Sequence, residues 1–247
     1  MCGSGPDGKP PVGRVILVGG GPGDPDLLTV RAIRALESAD VILHDRIGPV
    51  EILADLPQRP ELIDVGKRPG DHPVPQWRID QLIVEHALAG RTVARLKGGD
   101  PFVLGRGGEE WAACLRAGVP VEVVPGVSAM TAAPAAVGIP VTHRGRSTGV
   151  LMISGHEDID VTPLVAWPHT IVVLMGMKRL AMLCADLVAA GKPASTPVAV
   201  VQSAWTAEQC EVRGTLDSIV GEVAASGVTN PAVIVIGEVA AGLGPDD

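Results

Sequence analysis

Short apolar, β-branched runs alternate with longer stretches of mixed polarity along almost the whole chain. Arg14 to Val18 (RVILV) predicts a buried strand, Leu27 to Ala39 a helix, and Val41 to Leu43 and Glu61 to Val65 two more strands. Gln76 to Ala89 places apolar residues at Trp77, Ile79, Leu82, Ile83 and Leu88, the spacing of a helix with one buried face. Thr92 to Leu96 predicts a strand, Gly107 to Ala117 a helix and Val121 to Val124 a strand. The second half is less regular. Strands are expected at Val150 to Ser154, Ile171 to Leu174, Val198 to Gln202, Glu211 to Arg213 and Ala232 to Ile236, with helices at Leu180 to Ala190 and Leu216 to Ala224. Such alternation predicts α/β architecture in which helices cover mostly parallel strands. No internal repeat is visible.

The pattern breaks between Gly138 and Gly149, where Gly, Pro, Thr, Ser and Arg cluster. A boundary there predicts two α/β domains, an N-terminal one over 12–138 and a C-terminal one over 139–242. Disordered tails are expected at 1–11 and 243–247.

Composition narrows the function classes. A chain of 247 residues that is 46% hydrophobic and 19% charged buries a substantial core and is not a disordered protein. No uninterrupted apolar run reaches the ~18–20 residues of a bilayer span, and Met1 to Pro11 lacks the apolar core of a signal peptide, so a cytoplasmic protein is expected. A formal net charge of −8 with 2% aromatic residues argues against nucleic-acid binding. Cys2, Cys114, Cys184 and Cys210 form no CxxC pair and have no His at zinc spacing, so neither a metal site nor a disulfide framework is expected. The basic residues are uneven. Residues 1 to 125 hold 14 of the 20 Lys and Arg and 17 of the 28 Asp and Glu, so if a ligand is anionic, that is the half expected to hold it.

Four loops carry the candidate chemistry. Val18 to Leu28 (VGGGPGDPDLL) follows the first strand, but Asp24 stands where a dinucleotide fingerprint needs Gly and two prolines interrupt the helix start. It reads either as a ligand-facing loop or as a tight strand-to-helix turn. In Ile42 to Pro49 (ILHDRIGP), Asp45 and Arg46 sit just past the carboxyl end of a strand, where open α/β sheets place ligands. A surface ion pair or helix cap is the competing reading. Val65 to Arg68 (VGKR) offers Lys67 as a proton donor, an anion ligand or solvated surface.

Arg95 to Glu110 (RLKGGDPFVLGRGGEE) is the most informative, with five Gly in eleven residues, far more than a turn requires. Gly98 and Gly99 let a ligand lie against backbone, Asp100 offers an acceptor, and Arg106, ringed by glycines, has room to take a carboxylate in a bidentate grip. The small residues from Ser128 to Ala136 suit close packing or a ligand wall, and that stretch leads to Thr142, His143 and Arg144.

These loops, with GIPVTHR, ISGH (Ile153 to His156) and VVLMGM (Val172 to Met177), resemble the tetrapyrrole methylases from Val12 to Gly242, the motifs occurring in order. The resemblance implies two α/β domains, not the Rossmann-type methyltransferase fold, with S-adenosylmethionine (SAM) in the cleft between them and a homodimer. It implies two successive methyl transfers to uroporphyrinogen III, giving precorrin-2 by way of precorrin-1, with no metal. By position, SAM would contact Pro22, Gly98, Gly99, Asp100, Val103, Ser128, Ala129, Met175, Ala204 and Ala232. Asp45 matches the family's proton acceptor and Lys67 its proton donor, while Arg46, Arg106, His143 and Arg144 would face the substrate. His44 departs from the Tyr usual before Asp-Arg, Ser128 from Thr, and Leu174 from an aromatic before Met175. Only residues 1–11 precede the resemblance, so the dehydrogenase/ferrochelatase module of larger relatives is expected to be absent. The competing functions are another precorrin methylase of cobalamin synthesis and a SAM-binding regulatory protein without catalysis.

Overall fold

The computed structural model describes residues 11–66 and 74–244, which fall into two packed units, 1–128 and 129–247. The first unit runs β1 (Arg14–Gly19), α1 (Val30–Glu37), β2 (Val41–His44), β3 (Glu61–Asp64), α2 (Gln76–Leu88), β4 (Thr92–Lys97), α3 (Gly107–Arg116) and β5 (Val121–Val124). The five strands form one sheet in the order β3-β2-β4-β1-β5, and every pairing is parallel.

The apolar runs of β1, β2 and β4 alternate between two buried faces. Ile16, Val18, Ile42, Ala94 and Leu96 pack with Ala32, Ala35 and Leu36 of α1. Val15, Leu17, Val41, Leu43 and Val93 pack with Ile79, Ile83 and Ala87 of α2 and Cys114 of α3. Burying a side chain such as Leu36 or Ile83 stabilises the unit by ~1.5–3 kcal/mol. The helix after β1 therefore covers one face and the helix after its neighbour β4 the other. That reversal puts a crevice beyond the carboxyl ends of β1 and β4, where doubly wound sheets hold ligands. The helix expected from Leu27 splits in two. A 3-10 turn over Pro25–Leu27 is capped by Asp24, and α1 starts afresh at Val30 with the Thr29 hydroxyl accepting the Ala32 amide at 3.0 Å.

The second unit runs α4 (Ala129–Ala136), β6 (Val150–Ser154), α5 (Thr162–Ala166), β7 (Thr170–Leu174), α6 (Leu180–Ala189), β8 (Pro197–Gln202), β9 (Cys210–Thr215), α7 (Ile219–Ser226) and β10 (Ala232–Ile236). Its sheet order is β6-β7-β10-β8-β9. Only β6 and β7 are parallel; the other three pairings are antiparallel, which corrects the expectation of mostly parallel strands for this half. For β8 and β9 the cause is local: the chain returns through the short loop 203–209, too short for a crossover helix.

The expected division at 138/139 is also corrected. Residues 129–138 belong to the second unit because Ala133 of α4 is buried against Val172, Val201 and Val233 of that sheet. The expected tail residues 1–10 and 245–247 lie outside the described residues. Among the described residues no helix is long and apolar enough to cross a membrane.

Candidate active site

Three glycines bring three loops of the first unit into backbone contact. A Cβ on Gly126, after β5, would lie 2.3 Å from the Gly99 carbonyl oxygen, and one on Gly19 would lie 2.4 Å from the Gly126 nitrogen. No side chain fits there, so the loops after β1, β4 and β5 meet at a distance that only glycine permits. Gly99 donates to the Gly21 carbonyl at 2.6 Å and accepts from the Gly21 amide at 3.2 Å, a two-bond staple that also positions Pro22. A Cβ on Gly98 would lie 2.5 Å from Cγ2 of Ile47, so the loop after β2 joins the same cluster.

Asp100 fixes this arrangement. Its Oδ1 accepts the Phe102 amide at 2.9 Å and its Oδ2 the Gly126 amide at 3.0 Å. Val103 follows, half-buried, and Leu104 and Arg106 then adopt the left-handed conformation at φ 53° and 59°. Non-glycine residues held there carry strain that concentrates at functional sites. Among the described residues six non-glycines have positive φ, and all except Arg59 lie in this loop or at one end of the second sheet.

At that end Met175 (φ 59°) follows β7, Ser203 (φ 43°) and Trp205 (φ 64°) flank Ala204 after β8, and Ala232 opens β10. The register aligns them: Val233 pairs with Leu174, and Ala232 pairs with Gln202. Met175, Ala204 and Ala232 thus lie at one end of this sheet, with Met175 46% exposed and both alanines buried. Ser128 and Ala129 are half-buried where α4 begins. His143 and Arg144 lie elsewhere. They sit in a turn closed by the His143 amide on the Ser147 carbonyl at 2.9 Å, while the Ser147 hydroxyl meets that of Thr170, where β7 begins. Within the second unit that is the opposite end of the sheet from Met175. His143 Nδ1 is buried without a hydrogen-bond partner among the described residues.

The charged candidates of the first unit are more committed than the sequence implied. Asp45 Oδ1 accepts the Ile47 amide at 3.1 Å, and its Oδ2 lies 3.7 Å from a guanidinium nitrogen of Arg95. Arg46 grips Oδ2 of Asp64 with two nitrogens, at 3.1 and 2.8 Å. Arg106, expected to keep its fork open, places both nitrogens on the Glu109 carboxylate at 2.8 and 2.6 Å, because its left-handed backbone at the start of α3 aims it one turn along the helix. That bond lowers the Glu109 carboxyl below its ordinary range. His44 Nδ1 lies 3.2 Å from the carbonyl of Asp45. Lys67 lies outside the described residues.

One group was not singled out from the sequence. Arg95 and Lys97 of β4 and Glu110 of α3 are buried together, with side chains 5%, 4% and 0% exposed. Glu110 Oε1 accepts Arg95 Nε and Lys97 Nζ, each at 3.0 Å, and Gln76 Nε2 at 3.3 Å. Burial, and then the neighbouring Arg95 cation, push the Lys97 amine below its ordinary value. The signal was present: residues 95 and 97 alternate with buried Leu96 in a strand covered on both faces, where charges need internal partners. Among the described residues no three His, Cys, Asp or Glu side chains gather in a way that could hold a metal ion.

Glycine-built loops beyond the carboxyl ends of a parallel sheet, with no dinucleotide fingerprint, define an α/β small-molecule-binding protein outside the Rossmann dinucleotide class. Residues 14–220 match the family Tetrapyrrole (Corrin/Porphyrin) Methylases, and the chain belongs to that family. It is 43% identical over 240 residues to uroporphyrinogen-III C-methyltransferase of Paracoccus denitrificans, spanning 95% of this chain and 84% of that one. It is 43% identical over 237 residues to siroheme synthase of Methylococcus capsulatus, matching 94% of this chain and about half the length of that relative (50%). Among solved structures, uroporphyrin-III C-methyl transferase from Thermus thermophilus complexed with S-adenyl homocysteine superposes with a TM-score of 0.78 at 42% identity, covering 92% of this chain and 98% of that one.

Proposed function

We propose that this chain is a SAM-dependent C-methyltransferase that adds two methyl groups to uroporphyrinogen III, giving precorrin-2 by way of precorrin-1 on the route to sirohaem. The observation that carries the reading is similarity over 95% of this chain and 84% of a C-methyltransferase of that name, with the glycine cluster and Asp45 in the loops that carry the resemblance.

The residues present fit SAM. Pro22, Gly98, Gly99, Asp100, Val103, Ser128 and Ala129, with Met175, Ala204 and Ala232, offer backbone, small apolar walls and one carboxylate. They include no Lys or Arg, which suits a cationic sulfonium better than the phosphates of a dinucleotide. When bound, SAM supplies a methyl group already activated for displacement.

The chain's own part is alignment and proton transfer. Holding the reacting carbon in line with the methyl supplies ~7–11 kcal/mol of a barrier of this kind. Transfer leaves a quaternary carbon and a positive charge on the ring system, and the Asp45 carboxylate accepts a proton from elsewhere on that ring system as it returns to neutrality. Lys67 is the proposed proton donor. Arg46 and Arg106 are proposed to meet substrate carboxylates, exchanging Asp64 and Glu109 for them, while His143 and Arg144, at the end of the second sheet away from Met175, drop out of that set. A homodimer in the cytoplasm completes the reading.

Incubation with uroporphyrinogen III and isotopically labelled SAM, followed by mass analysis, tests it. Two added methyls are expected. One methyl, or none on this substrate but some on a later corrin precursor, identifies another methylase. SAM binding by calorimetry with no transfer to any tetrapyrrole leaves a regulatory protein.

A further inference from the structure

We propose that Arg95 is a positioning residue for Asp45, and that Glu110 holds Arg95 in place. The inference rests on the proposed methyl transfer, in which Asp45 takes the proton. Arg95 lies in β4, and its guanidinium is fixed at two of its three nitrogens. Nε donates to Glu110 Oε1 at 3.0 Å, and Nη1 donates to the Leu96 carbonyl at 2.7 Å. Because the fork is planar, these two bonds determine where Nη2 points, and it faces Asp45 Oδ2 at 3.7 Å.

Asp45 is held from its other side by the Ile47 amide on Oδ1. Its carboxylate therefore has one oxygen tied to backbone and one beside a buried cation, with little freedom to turn. The cation is shielded: the Arg95 side chain is 5% exposed and that of Asp45 22%, so salt screens this contact far less than it screens the surface pairs.

The support behind Arg95 is equally specific. Glu110 Oε1 carries Arg95, Lys97 and Gln76 at once, while Glu110 Oε2 is buried without a hydrogen-bond partner among the described residues. Two cations, Arg95 and Lys97, share this one glutamate, and Asp45 is a second carboxylate that faces Arg95. The network carries order from the helix start at the GRGGEE motif, through β4, to the loop after β2. It gives Arg95 and Glu110, the two ends of the RLKGGDPFVLGRGGEE stretch, a shared task.

A merely structural ion pair predicts something else: loss of stability, with any loss of turnover independent of Asp45. A double-mutant cycle separates the two. Steady-state kinetics with uroporphyrinogen III and SAM affinity by calorimetry are measured for the full chain and for Asp45→Asn, Arg95→Gln and Asp45→Asn/Arg95→Gln. Arg95→Gln is expected to lower kcat about tenfold or more with KM and SAM affinity within about twofold. The double variant is expected to turn over within about twofold of Asp45→Asn alone, because the residue being positioned is already gone. Arg95→Lys, which keeps the charge but not the fork, is expected to recover only part of kcat. It replaces Arg95→Gln in the cycle if that variant does not fold. Losses that multiply in the double variant, or a loss confined to KM, overturn the role of Arg95 while leaving the functional reading intact. A wild type that transfers no methyl to uroporphyrinogen III overturns the functional reading, and this inference with it.

Discussion

Asp100 Oδ2 accepts the Gly126 amide at 3.0 Å and so ties the loop after β4 to the loop after β5. Its other oxygen closes its own turn on the Phe102 amide. Asp100→Ala would leave both amides without their acceptor. A half-buried donor losing its partner costs ~1–3 kcal/mol, so this variant should unfold at lower denaturant. If the carboxylate also shapes the SAM site, affinity for SAM should fall at least about tenfold, equivalent to ~1.4 kcal/mol. Denaturant melts and calorimetry on the same preparation decide, and normal SAM affinity in a destabilised variant would confine Asp100 to the loops.

The glycine contacts make a sharper comparison. Gly126→Ala inserts a Cβ 2.3 Å from the Gly99 carbonyl, where both partners are backbone and neither can give way. A cost of ~1–3 kcal/mol, typical of overpacking, is expected together with impaired SAM binding. Gly108→Ala is the control. Nothing lies within 4 Å of its Cβ position and it sits in the first turn of α3, so the substitution should stabilise by up to ~1 kcal/mol. Thermal melts of the two variants should move in opposite directions. A Gly126→Ala protein that melts no lower than the wild type and binds SAM as tightly would mean that the close approach at Gly126 is not what the site depends on.

That contrast also marks how far the sequence could be read. Strands β1, β6 and β10 are legible because four or five consecutive apolar residues bounded by turn formers have few other solutions. Helix α4 is not, because AMTAAPAA has Pro134 in its interior and almost no polar face; only its contact with Val172 and Val233 makes it a helix of the second unit. The antiparallel pairings of β10 with β7 and β8 are tertiary facts with no local signature. In the site, glycine spacing exposed the loops at 98–108 and 19–23, yet not which glycines meet. The partner of Arg106 depended on a positive φ at Arg106 itself, and the buried role of Glu110 on helix phase. Both are invisible in a string of letters.

A third expectation concerns pH. The Asp80 carboxyl, on α2, is raised above its ordinary value of 3.8 chiefly by burial, with Glu110 and Glu109 adding repulsion against the bond from Gln76. The folded state therefore holds this proton more tightly than the unfolded chain does. Between the unfolded value and the higher folded one, stability falls as pH rises, and above that window the whole penalty persists. Asp80→Asn has no such proton to lose. Urea melts from about pH 4 to 7 should show the variant gaining on the wild type as pH rises and then holding a constant lead. A stability difference that does not change with pH would mean that burial of Asp80 is not linked to folding.

The remaining expectation follows from the Arg106–Glu109 pair. Both side chains are about half exposed, at 56% and 51%, and exposed pairs contribute ~0–1 kcal/mol even with good geometry. Releasing Glu109 is thus a small cost beside a bidentate bond to a substrate carboxylate, and the glycines on either side leave the guanidinium free to swing. Arg106→Ala should then change stability by less than ~1 kcal/mol and leave SAM affinity alone. It should raise KM for the tetrapyrrole about tenfold, an effect of the size expected when one charge-assisted contact is removed. Because the contact is near the surface, the wild-type KM should itself rise with added salt and the gap between the two proteins should narrow. If tetrapyrrole affinity is unchanged in Arg106→Ala at low salt, Arg106 serves only to cap α3 with Glu109, and the substrate carboxylates must be met by other cations.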